Sequence, residues 1–327
     1  MQTDIKKSDC LITQPQRDYM VLVRCFTYNH SQYITDALNG FVMQKTNFPY
    51  VCLIVDDAST DGEQNVIMDF LQKECDIDYA ERTETGDYLR IKAPHKTNSN
   101  CTLVVFFLKD NHKSQNKDKY VYVKPWRSLC KYEAWCEGDD YWTESRKLQL
   151  QVDFMESHPE HSLCIHAYRQ DLFHGNSIVS KEIHKYSSDV EIIPDKDVFN
   201  YRGMFSATAS MLYRTSARDN YPEWAKKAPV GDRPLKFVLF SRGHIAYLDR
   251  MMSVYRIGVQ GSWTNRIARN HKEEKKTREK FIQLLNDFDE WTNRKYHNLT
   301  KSTIIKYRIL CKIRDVRYFF HKLLSLP

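Results

Sequence analysis

Apolar runs of strand length alternate with helical periodicity through the first half of the chain. Tyr19 to Phe26 (YMVLVRCF) and Tyr50 to Val55 (YVCLIV) are nearly continuous in apolar residues and read as buried strands of a parallel sheet. Between them Tyr33, Ala37, Leu38, Phe41 and Val42 recur at helical spacing, with Ser31 placed to cap a helix beginning near Gln32. Val66, Ile67, Phe70 and Leu71 share one face of a helix over about Glu63 to Lys73. A third run, Tyr132 to Cys136, is followed by a helix from about Arg146 to Ser157, ended by Pro159. Strands alternating with helices predict a doubly wound α/β sheet, whose ligands bind beyond the carboxyl ends of the strands. Polar clusters at 27–31, 56–61 and 137–140 each follow one of these runs, so all three are expected on that edge.

The pattern is less regular elsewhere. Tyr88 to Ile91, Cys101 to Leu108, Ser162 to His166 and Ala207 to Tyr213 read as strands, Asp110 to Lys119 as a loop or short helix, and Asp195 to Tyr201 as a short helix. Gly231-Asp232-Arg233-Pro234 opens a helix, with Asp232 as a candidate N-cap and Gly243 at its end. His244 to Leu248 and Met252 to Ile257 read as two strands, followed by a loop, Gly258 to Trp263. From about Asn265 the composition turns to charged helix. Over Ile304 to Leu326 an apolar face of Ile305, Ile309, Ile313, Val316, Phe320 and Leu324 stands beside basic residues. Such a helix either lies on an anionic membrane surface or docks on its own domain with a solvated basic face.

Composition narrows the class. The 327 residues, 42% hydrophobic and 28% charged, suffice for a large α/β core. No apolar run reaches the length of a membrane-spanning helix, and the polar N-terminus has no apolar core like that of a secretory signal. Nine scattered cysteines, none in a C-x-x-C pair, point away from a zinc ribbon or disulfide framework and toward a reducing, cytoplasmic compartment. The net charge is +7, and residues 301–327 alone hold seven Lys/Arg against one acid. The body is therefore near neutral, which disfavours a nucleic-acid binder. Ten glycines with no G-x-G spacing exclude the dinucleotide fingerprint and the phosphate loop.

Candidate chemistry centres on Cys136-Glu137-Gly138-Asp139-Asp140-Tyr141-Trp142. Three carboxylates within four residues repel one another unless a cation sits among them. Hard oxygen donors on one turn suit Mg²⁺ or Mn²⁺, above all an ion shared with substrate phosphates. The alternative is a solvated acidic turn.

Three segments, VLVRCFTYNHSQYI (21–34), CLIVDDASTDG (52–62) and WCEGDDYW (135–142), together resemble glycosyltransferase family 2, the inverting nucleotide-sugar transferases of the GT-A fold. The helix KLQLQVDFME and the later VGDRPL and VYRI segments are also similar to bacterial members, and the resemblance covers roughly residues 19–263. It implies a GT-A fold: a doubly wound, Rossmann-like mixed sheet flanked by helices, with a helical basic C-terminal extension. The domains expected are a polar lead-in at 1–18, a catalytic domain at 19–263 (nucleotide part about 19–142, acceptor part about 143–263) and an extension at 264–327.

The resemblance also implies roles. Thr27, Tyr28 and Asn29 would line the nucleotide pocket, and Asp56 or Asp57 would bind base and ribose. Asp139 would ligate the metal, Mn²⁺ or Mg²⁺, with Glu137 as a longer-reaching partner. Asp140 would contact the donor sugar or metal-bound water, and Asp232 would be the catalytic base. Trp142 and Trp263 are candidates for the acceptor platform, buried core aromatics being the alternative. Many relatives have a histidine at the position of Gly258, for which Arg256 or His271 could substitute. His112 and His166 read as structural.

The activity expected is inverting transfer from a nucleotide-sugar donor, UDP-linked by family default, to a glycan or lipid-linked acceptor in cell-surface polysaccharide synthesis. The protein would act in the cytoplasm, peripheral on the inner face of the cell membrane. A metal-dependent nucleotidyltransferase and a non-catalytic membrane-surface nucleotide-sugar-binding protein are the alternatives.

Overall fold

The computed structural model describes residues 17–175, 177–199, 206–259 and 271–324. The lead-in up to residue 16, Trp263, and the side chains of Val316, Phe320 and Leu324 lie outside what is described. One mixed sheet of eleven strands runs through the described chain. At its centre β1 (Tyr19–Thr27) pairs in parallel with β2 (Tyr50–Asp56) and β6 (Cys130–Trp135), and β2 pairs in parallel with β5 (Cys101–Leu108). All seven residues of β2 are buried, which explains why its sequence is apolar without alternation. Outside β5 lie β4 (Tyr88–Pro94) and β3 (Glu81–Glu84), both antiparallel to their neighbours. Outside β6 come β10 (Leu212–Arg214), β8 (His161–His174), β11 (His244–Ile257) and β7 (Tyr141–Trp142), and β9 (Ser177–His184) forms a hairpin with β8.

Period-2 alternation on β1 sorts its side chains between two cores. Val21, Val23 and Cys25 pack with α1 (Ile34–Val42), α2 (Glu63–Glu74) and α4 (Lys147–Ser157). Leu22 faces the other way, with Val51, Leu53 and Val55 of β2 and Val123 of α3 (Tyr120–Ser128). A third core joins β8 and β11 to the helix Asp232–Arg242 and to the two C-terminal helices, His271–Trp291 and His297–Leu324. Its shared residues include Leu235, Phe237, Leu285, Phe288 and Ile304, so the C-terminal helices are packed on the body.

Several local expectations change. Ser31 does not cap α1, which starts at Ile34; its backbone N–H donates to Asp61 Oδ2 at 2.9 Å. Asp232 is the first helical residue, with Gly231 at the cap position. Of the strand expected over Ala207 to Tyr213, the first part is a 3₁₀ turn, Thr208–Ser210, and only β10 is extended. The two strands expected around Asp249 are one 14-residue strand, β11, with a shift of register between Leu248 and Ser253. The last helix docks through a different face from the one its apolar spacing suggests. Thr303 and Ile304 are buried, and Thr303 Oγ1 donates to Phe199 O at 2.7 Å. Ile305, Ile309 and Ile313 remain 49%, 54% and 44% exposed.

Candidate functional site

Register brings the three polar clusters to one edge. Thr27 lies opposite Asp56, and Arg24 opposite Trp135, so the turns after β1, β2 and β6 open side by side. The first two are latched together. Asp57 N donates to Thr27 O (3.0 Å), Asn29 N to Ser59 Oγ (2.9 Å) and Thr60 N to Asn29 Oδ1 (2.8 Å). Asn29 and Ala58, one in each turn, hold positive φ angles of 57° and 58°. Alanine has no side-chain hydrogen bond to ease that conformation, so the latch must offset its strain.

Glu63 anchors this latch. It is fully buried, and its carboxylate accepts from Thr27 Oγ1, from His30 N (2.9 Å) and from Ser59 Oγ (2.8 Å). Burial nevertheless raises its pKa against those donors. Sequence alone marks Glu63 only as the start of a helix; its place just after Asp61-Gly62 is the signal that could identify it.

The neighbouring acids Asp56 and Asp57 have different fates. Both are fully buried. Asp57 is consumed by the loop after β5, accepting from His112 N (2.7 Å), Lys113 N (3.2 Å) and Lys119 Nζ (2.8 Å). Asp56 Oδ2 accepts from Gln64 Nε2 (2.5 Å) and Ser59 N (3.3 Å), while its buried Oδ1 has no hydrogen-bond partner. Burial raises the Asp56 pKa. Tyr28, 38% exposed, stands in the turn after β1.

The acidic turn is divided in the same way. Glu137 Oε1 pairs with Arg24 Nη2 at 2.6 Å and Oε2 accepts from Phe26 N at 3.2 Å, so this carboxylate is tied to β1 rather than free for a metal. Arg24 itself stacks 3.5 Å from the Trp135 ring centroid. Gly138 is required: a Cβ there would lie 2.1 Å from Thr27 Oγ1. Asp139 Oδ2 faces His30 Nε2 at 3.8 Å. Asp140 is buried and accepts from Arg256 N at 2.9 Å; burial, then the charge of Asp139, raises its pKa strongly. Trp142 is a core residue and not an acceptor platform, its Nε1 donating to Ala209 O at 2.9 Å and its ring packed on Phe41.

The other side comes from the second half of the chain. Arg256 Nη1 donates to Asp139 O (3.1 Å), Nη2 pairs with Asp36, and the guanidinium lies 4.4 Å from the Tyr141 ring centroid. Gly258 has φ +82°, and a Cβ there would meet Phe173 O at 2.5 Å, so a histidine at that position would clash. The side chain of His271 lies outside the described residues. Asp232 pairs with Lys236 at 3.2 Å, and Lys236 also donates to Ser206 O at 3.0 Å. Burial alone would raise the Asp232 pKa, but Lys236 and Arg233 outweigh it and hold it below the usual carboxylate value. Burial and then the charges of Asp140, Asp139 and Asp232 push Tyr255 upward.

Among the described residues, no three His, Cys, Asp or Glu side chains converge as a closed metal cage. An open pair of donors, Asp139 with His30, still fits a divalent ion that completes its shell with phosphate and water.

No protein-family model matches the chain. A protein of Mycobacterium tuberculosis (strain H37Rv), described only as uncharacterized, is 30% identical over 241 residues, 72% of this chain and 58% of that protein. The chain thus spans little more than half the length of the curated relatives it matches. A protein of Mycoplasma pneumoniae described as an uncharacterized glycosyltransferase is 32% identical over 109 residues, 33% of this chain and 31% of that one. Among solved structures, S. aureus TarS 1-349 in complex with UDP superposes with a TM-score of 0.51 at 16% identity, over 88% of this chain and 70% of that one. Mannosyltransferase PcManGT from Pyrobaculum calidifontis, in complex with GDP-Man and Mn²⁺, gives 0.51 at 10% identity, over 93% and 77%. The fold is therefore a mixed α/β sheet with helices on its faces and a helical C-terminal part, similar to the folds of these two proteins.

Proposed function

We propose that this protein is a glycosyltransferase, of the family 2 type its motifs resemble, that moves a sugar from a nucleoside-diphosphate sugar to an acceptor hydroxyl with inversion. The observation carrying this reading is that the turns bearing Asp56, Asp139 and Asp140 open side by side at the carboxyl edge of the parallel strands, with Asp139 facing His30. The unpartnered Oδ1 of Asp56 suits a base N–H or ribose hydroxyl, with Tyr28 nearby for stacking. Asp139 would hold Mn²⁺ or Mg²⁺, which supplies charge neutralisation for the departing diphosphate. Asp232, kept ionised by Lys236 and Arg233, would take the acceptor proton on the face opposite the leaving group. Arg256 holds the acidic turn in place from β11. Glu137 and Asp57 serve structure, because their oxygens are already engaged. Incubation with a panel of nucleotide sugars and Mn²⁺ tests the reading. Release of nucleoside diphosphate, lost in Asp139→Ala and Asp232→Asn, is expected; wild-type rates in both variants would refute it.

The exposed stripe Ile305, Ile309 and Ile313 supports a site of action on an anionic membrane of the cytoplasmic face, with a glycan or lipid-linked acceptor of surface-polysaccharide type. Lys301, Lys306, Arg308 and Lys312 are exposed on either side of the stripe. No described helix is long and apolar enough to cross a membrane. Co-sedimentation with phosphatidylglycerol vesicles, weak with phosphatidylcholine and lost in Ile309→Glu, is expected. An Ile309-dependent dimer without vesicle binding would assign the stripe to a second copy instead.

A further inference from the structure

In the sequence His30 is one member of a strand-end turn; in the structure it is 8% exposed and faces Asp139. Its tautomer follows from donor counting. Thr27 Oγ1 gives its one proton to Glu63, whose other oxygen already accepts from His30 N and Ser59 Oγ. The Thr27 hydroxyl can therefore only accept from His30 Nδ1, 3.2 Å away, which places the ring proton on Nδ1. In the neutral ring Nε2 then presents its lone pair to the Asp139 carboxylate, 3.8 Å away. Two acceptors facing each other call for a cation between them. Adjacent ligands of a six-coordinate Mg²⁺ or Mn²⁺ sit about 3 Å apart, so a small rotation of the Asp139 carboxylate completes the pair.

We propose that His30 Nε2 is a direct ligand of the divalent cation, paired with Asp139, and that Glu63 acts through Thr27 as the positioning residue that fixes its tautomer. This rests on the metal-dependent reading above. It also makes β2 and α2, through Glu63, part of the metal centre, because they set the ligand that works with the turn after β6. A borderline nitrogen donor favours Mn²⁺ over Mg²⁺, because Mg²⁺ prefers oxygen alone.

Binding is read by the electron paramagnetic resonance of Mn²⁺ titrated into the full chain, alone and with UDP or GDP. Pulsed measurement on the bound ion is expected to show coupling to one imidazole nitrogen, absent in His30→Gln. That variant should bind Mn²⁺ at least about tenfold more weakly, and Glu63→Gln should weaken it by a smaller factor. The wild-type nitrogen signal needs no variant, and thermal melting of His30→Gln separates lost ligation from unfolding. Bound Mn²⁺ without nitrogen coupling would make the contact a plain imidazolium–carboxylate pair and overturn the assignment, as would a wild type that takes up no Mn²⁺. A nitrogen-coupled site in a protein that turns over no nucleotide sugar would sink the transfer reading and leave the ligand standing. Turnover with wild-type Mn²⁺ affinity in His30→Gln would do the reverse.

Discussion

On the side of β1, β2 and β6, acids act as cement, whereas on the β11 side Asp232 and Arg256 are held by ion pairs. Glu63, Asp57 and Glu137 are engaged by hydroxyls, backbone N–H groups and cations of the same α/β half. What that bonding leaves over is Asp56 Oδ1, without a hydrogen-bond partner, and the Asp139 carboxylate, which faces only His30 at 3.8 Å among the ion pairs described. Across the site, Asp232 and Arg256 are held by charged partners, Lys236 and Asp36, and by their places on a helix start and a strand. The first side is preorganised by many shared hydrogen bonds; the second is tuned by a few charges.

Substitutions can break this contrast at either side. The largest effect is expected for Asp232→Asn, a loss of about 10²–10⁴ in nucleoside diphosphate release with the fold intact by circular dichroism. Next comes Gly138→Ala, which drives a methyl into Thr27 and should cost about 1–3 kcal/mol in urea unfolding while damaging turnover. Glu63→Ala should lower stability comparably, since it leaves the buried Thr27 hydroxyl and His30 N–H without their acceptor.

Smaller effects sharpen the β11 side. Removing the Lys236 charge in Lys236→Met raises the Asp232 pKa, so the acid limb of the kcat/KM profile should move to higher pH. A separate effect concerns stability alone. Burial lowers the Lys147 pKa from 10.5 to about 7. Between those values the unfolded chain binds the additional proton, so wild-type stability should rise as pH increases through that window. Lys147→Met should lack this rise, as measured by denaturant midpoints at successive pH values.

The first side is also the more legible in sequence. β1, β2, β6 and the helices after β1 and β2 follow plain apolar runs and helical periodicity, and register does the rest. Sequence does not say which member of each acid pair is spent, because that depends on Lys119, Arg24 and the loop amides, brought in from other segments. α3 escapes a sequence reading because Tyr120-Val121-Tyr122-Val123 has strand-like residues and Pro125 lies within the helix. β9 escapes it because nearly all of that strand is exposed and no buried face imposes a pattern. β11 reads as two strands because Asp249, Arg250 and Met251 interrupt the apolar run where the register shifts.

That continuous β11 is also a ruler. It starts two residues after the Asp232 helix ends and finishes at Ile257, one residue beyond Arg256. The number of residues, not a loop, therefore sets the span from Asp232 to the acidic turn. One residue inserted between Ser253 and Arg256 would turn the guanidinium to the opposite face of the sheet. Chain variants at this strand should accordingly tolerate exchange of side chains far better than any change of length.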